Sequence, residues 1–108
     1  EFTAERIIAY FNLDLAQLRG YRLGGAVERL LVAFAFYKIR ALLARGLRLR
    51  TACDLAPVGD GLTTTAPAGY SIPELPELDE LLPKLIEAVA GEGLFAEPRV
   101  TTVTYRKK

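Results

Sequence analysis

On a wheel of 3.6 residues per turn, the segment Ala26 to Arg45 shows apolar side chains around more than half its circumference. Val27, Leu30, Leu31, Phe34 and Ala41 share one stripe, and Val32, Phe36, Ile39 and Leu43 share a second. Arg29, Arg40 and the small residues Ala33 and Ala44 mark the only outer edge. A helix of this kind needs cover on two sides. One small sheet supplies cover on one, so the pattern predicts that further chain or a partner subunit covers the other. The helix starts near Gly25 and is closed by Gly46, after Arg45 in the last turn, where a cation suits the helix dipole.

The flanking segments read as strands. From Phe11 to Leu15, apolar Phe11, Leu13 and Leu15 alternate with Asn12 and Asp14, which predicts a strand within Ile7 to Leu18 that has one buried face. Leu47 to Leu55 carries the clearest period of two, with Leu47, Leu49, Thr51, Cys53 and Leu55 on one face and Arg48, Arg50, Ala52 and Asp54 on the other. Strand, helix and strand at this spacing form a right-handed βαβ unit. The proline- and glycine-rich stretch 58–75 is a long surface loop. A second helix runs from about Pro76 or Glu77 to Ala90, with Leu78, Leu81, Leu82, Leu85 and Val89 as its stripe and Pro83 as an interior interruption. Val100 to Tyr105 reads as a last strand. The expected fold is therefore α/β (α+β), in the order β-α-β-loop-α-β. That is a partial ferredoxin-like or RRM-like palm with both helices on one face of a small sheet, lacking one strand.

Composition narrows the chemistry. The 108 residues are 51% apolar and 25% charged, with one Cys, no His and a net charge of +1. They fit one domain, 1–108. Without His, and with a single thiol, the usual zinc, haem and iron–sulfur ligand sets and the Ser-His-Asp or Cys-His sites cannot be assembled. The expectation is no cofactor, no metal, no small-molecule substrate and no enzymatic activity. The longest apolar run, Leu30 to Tyr37, is far shorter than the roughly 20 residues that span a bilayer. No membrane contact is expected, and the expected location is cytoplasmic. A sequence with no Met carries no initiator of its own and reads as a processed product, an engineered product or, the expectation taken here, a piece of something longer.

Charge is placed unevenly. Between Arg29 and Cys53 stand Arg29, Lys38, Arg40, Arg45, Arg48 and Arg50, with no acid among them. Guanidinium groups suit phosphate, and Arg48 and Arg50 share the strand face opposite the leucines. That face carries no aromatic residue, so base stacking is not expected of it. Backbone contact that is strongly salt-dependent is. The turn Arg19-Gly20-Tyr21-Arg22-Leu23-Gly24-Gly25 adds two cations and amides at a helix start, without matching a phosphate-loop or dinucleotide pattern. The candidate phosphate-contacting residues are Arg19, Tyr21, Arg22, Arg45, Arg48 and Arg50. Cys53 reads as a small core residue, and Asp54 as an arginine partner.

The run Arg40-Ala41-Leu42-Leu43-Ala44-Arg45, followed by Gly46-Leu47-Arg48-Leu49-Arg50-Thr51-Ala52-Cys53-Asp54-Leu55, resembles the C-terminal part of the RAMP-superfamily backbone protein of type I-U (I-G) CRISPR effector complexes. The resemblance is most specific over Ala41 to Leu55 and looser over Ile7 to Leu55. It implies an RRM-derived palm, assembly with other copies of itself and other effector-complex subunits, and binding of CRISPR guide RNA without cleavage. The alternative reading is a ferredoxin-like oligomerisation or regulatory module that binds no nucleic acid.

Overall fold

The computed structural model describes residues 6–46, 55, 57–59 and 61–107. Among these residues are three helices: α1 (Leu15–Gly20), α2 (Gly25–Ala44) and α3 (Leu75–Gly91). The start of α2 is set by Gly24, whose φ of 91° turns the chain, and by the Glu28 N–H, which donates to the Gly24 carbonyl at 3.0 Å. Its end is set by Arg45 and Gly46, whose N–H groups donate to the carbonyls of Ala41 and Leu43. Gly46 has a φ of 76°, and a Cβ there would stand 3.0 Å from the Leu55 carbonyl oxygen. Gly46→Ala is therefore expected to destabilise the protein by about 1–2 kcal/mol, measured by chemical denaturation. No change would mean that the left-handed cap relaxes freely.

Helix α3 opens with a reciprocal capping box. Glu74 accepts from the Glu77 N–H, and the Glu77 carboxylate accepts from the Glu74 N–H. Pro76 occupies the first turn, where its missing N–H costs nothing. Pro83 removes one donor in the interior, yet the helix continues to Gly91. Pro83 and Asp79 are both exposed, so the interruption falls on the outer side of α3.

Helices α2 and α3 pair along one seam. Ala26 and Ala33, seven residues apart, are buried on α2, while Leu78 and Val89 are 0% and 1% exposed on α3. Small side chains on one helix admit large ones from the other. Arg40 continues the α2 seam by another seven residues. Its Nη2 donates to the Ile72 carbonyl at 2.6 Å, its Nε donates to that of Pro73 at 3.1 Å, and the guanidinium lies 3.4 Å from the Glu74 carboxylate. The carboxyl-terminal part of α2 thus holds the entry to α3, and the two helices run antiparallel.

Part of the loop before α3 is folded against α2. The Thr64 hydroxyl lies 2.9 and 2.7 Å from the carbonyl oxygens of Pro67 and Tyr70, and Thr65 bridges Ala68. The Tyr70 ring then meets Phe36 at 6.3 Å.

The α/β palm is not what the described residues form. They contain no strand and no sheet, and the two long helices cover each other instead of a common sheet face. Leu15 to Gly20 is helical because the Asp14 carboxylate caps the Gln17 N–H at 2.9 Å, and Leu15 and Leu18 then fall on one side of the turn. The alternation seen from Phe11 to Leu15 ends where that cap begins. Val100 to Tyr105 is exposed and finds no pairing partner among the described residues. The expected strand Leu47 to Leu55, apart from Leu55 itself, lies outside the described residues, and with it Cys53 and Asp54.

The wheel for α2 is also corrected. Ala33 and Arg40, expected at the outer edge, face α3, and Ala33 is 5% exposed. Leu31, Phe34 and Leu42 are left open on the other side. Close approach to α3 selects small residues for the seam and leaves the bulky ones outside. With a radius of gyration of 18.1 Å, against about 13 Å for a compact chain of this length, the molecule is open in shape.

Candidate functional site

The basic residues sort by the helix ends that carry them. Arg19 lies in the last turn of α1, and Tyr21 caps that helix, donating its N–H to the Leu18 carbonyl at 3.2 Å. The Arg22 N–H donates to the Arg19 carbonyl at 3.1 Å. Arg22 has a φ of 55°, in the left-handed region that a residue with a side chain enters only at some cost. Together with Gly24, it folds 19–24 into a corner whose Arg19, Tyr21 and Arg22 side chains all face solvent.

That corner leads directly into α2. Gly24 offers no side-chain cap, and the first intrahelical bond belongs to Glu28, so the amides of Gly25, Ala26 and Val27 lack helical acceptors. The Arg29 side chain folds back along the helix, where its Nη1 would stand 3.1 Å from a Cβ on Gly25. Cations and the positive end of a long helix therefore meet at the amino end of α2.

Arg45 is exposed at the opposite end, about 30 Å away along a helix of this length. Arg48 and Arg50 lie outside the described residues. Of the six candidate phosphate-contacting residues, the structure thus brings three together in one corner and places a fourth at the far end of α2.

Two other members of the basic run are used within the fold. Arg40 is half-buried and committed to Ile72, Pro73 and Glu74, and the Lys38 ammonium lies 4.8 Å from the centre of the Phe34 ring. Among the described residues the ion pair is Arg40 with Glu74, and Arg19, Arg22, Arg29 and Arg45 form none. Arg40, expected at the outer edge of α2, is thus withdrawn from the solvated cations. Its seven-residue spacing from Ala33 and Ala26 places it on their face of α2, and the contacts with the chain before α3 are what turn that face inward.

Among the described residues no group of three or more His, Cys, Asp or Glu side chains is arranged to hold a metal. No helix among them is long and apolar enough to cross a membrane. No protein-family model matches the chain, and no curated protein matches it.

Proposed function

We propose that this chain is a non-catalytic piece of an RNA-binding backbone subunit of a type I-U (I-G) CRISPR effector complex. In this reading the corner formed by Arg19, Tyr21 and Arg22 contacts guide-RNA phosphates. The carrying observation is that these three side chains project to solvent from one strained turn, with neither arginine paired to a carboxylate among the described residues. Free amides at the start of α2 add donors of the kind that phosphate accepts. The sequence resemblance over Ala41 to Leu55 supplies the polynucleotide, and Arg45, Arg48 and Arg50 extend the basic set along the chain.

Contacts of this type carry little base information and release counterions. Arg19→Ala/Arg22→Ala is expected to weaken binding of a single-stranded RNA uniformly across sequences. The slope of log K against log salt should flatten by about 1.4, because two phosphate contacts are lost. Fluorescence anisotropy at several salt concentrations measures both quantities. Unchanged affinity and slope would remove the corner from the interface.

The second reading is an oligomerisation or regulatory module without nucleic acid, and the open apolar side of α2, with Leu31, Phe34 and Leu42, favours it. It predicts no RNA binding in the same titration and a mass that rises with protein concentration.

A further inference from the structure

A cavity of about 390 Å³ runs between α1, α2 and α3. Its apolar lining comes from Leu18 on α1, Val32 and Phe36 on α2, and Leu78, Leu81 and Leu85 on α3. On α2 the lining residues Arg29, Val32 and Phe36 follow a spacing of three and four, as do Leu78, Leu81 and Leu85 on α3. The floor of the trough is therefore two ridges about two helical turns, or roughly 10 Å, in length, with Arg29 as the polar end of one and the wholly buried Leu78 beneath the end of the other. Helix α1 forms one wall, and the trough is open to solvent, with Leu81 partly exposed in it.

The polar lining is Arg19, Glu28 and Arg29. Two guanidiniums stand against one carboxylate, none of the three is ion-paired among the described residues, and the Arg29 guanidinium lies beside the amino end of α2. The helix dipole adds to the positive potential there. The accessible apolar residues Leu18, Val32, Phe36, Leu81 and Leu85 match the apolar face of an amphipathic helix, and seating one would place a further helix against α1, α2 and α3. The uncompensated positive charge selects an acidic occupant.

We propose that the trough between α1, α2 and α3 seats an amphipathic helix of a partner protein. That helix carries apolar side chains at i, i+3 or i+4 and i+7, and acidic side chains where it meets Arg19 and Arg29. The inference does not rest on RNA binding, and its test contains no RNA.

The probes are two synthetic helical peptides with the same leucine stripe, one with glutamate and the other with lysine at the flanking positions. Calorimetric titration into the purified chain is expected to show the glutamate peptide binding at least about tenfold more tightly. Arg19→Glu/Arg29→Glu should reverse that preference, and Arg29→Gln should reduce it. Both positions are exposed, and circular dichroism checks that the helices persist in each variant. Leu81→Ala should weaken both peptides, and NMR shift changes should centre on Val32 and Leu81. The proposal is overturned by equal affinity for the two peptides, by binding of neither, by a preference that survives charge reversal, or by shift changes centred on Leu31 and Phe34.

Discussion

Leu78→Ala is expected to lower the unfolding free energy by about 3 kcal/mol. The side chain is wholly buried between α2 and α3, and it shares a cavity lining with Val32, Ala33 and Phe36 of α2. Truncation removes the apolar atoms and leaves a cavity that helix geometry prevents from closing, so both terms of the penalty apply. The effect is large beside the roughly 5–15 kcal/mol that stabilises ordinary domains, and among the described residues Val89 is the other large side chain that is fully buried. Urea titration followed by far-ultraviolet circular dichroism should show a lower midpoint with an unchanged m value. A loss below about 1 kcal/mol would mean that the seam repacks freely and does not hold the helices together.

Arg40→Ala is expected to cost about 2–3 kcal/mol. One side chain, only 13% exposed, satisfies the Ile72 and Pro73 carbonyls and lies against the Glu74 carboxylate. Hydrogen bonds to a charged donor are stronger than neutral ones, and deletion leaves two carbonyls without that donor beside the start of α3. Lysine should recover only part of the loss, because a single ammonium cannot reproduce the planar fork that serves two adjacent carbonyls. Thermal unfolding of the three proteins gives the order arginine, lysine, alanine. If alanine matched arginine, the contacts would be incidental to how α3 is held.

The two long helices were legible in the sequence because both carry strong periodicity and recognisable ends. Gly46 stops α2, and the stripe from Leu78 to Val89 defines α3. The start of α3 at Leu75 was missed because the capping box uses Glu74 where Ser or Thr is usual. Helix α1 was missed for a different reason. In so short an element the alternation of Phe11, Leu13 and Leu15 outweighed the single cap from Asp14. Which face of α2 turns inward was not legible, since burial there follows from close approach to α3 and favours alanine over leucine. At the candidate site, the grouping of Arg19, Tyr21 and Arg22 followed from their closeness in the chain. The withdrawal of Arg40 depends on carbonyls more than thirty residues away, and no local pattern encodes it.

The connection from Arg45 to Glu74 has a consequence for how the chain assembles. Helix α2 can form from local contacts alone, whereas docking of α3 must bring together residues more than thirty positions apart. The entropy of that closure grows only with the logarithm of loop length, about 0.6 kcal/mol for each doubling. Residues inserted near Val58 and Gly59, ahead of the Thr64 turn, would thus slow the meeting of the helices slightly and leave their final fit unaltered. That stretch is where the chain can change length over evolution without redesigning the hairpin.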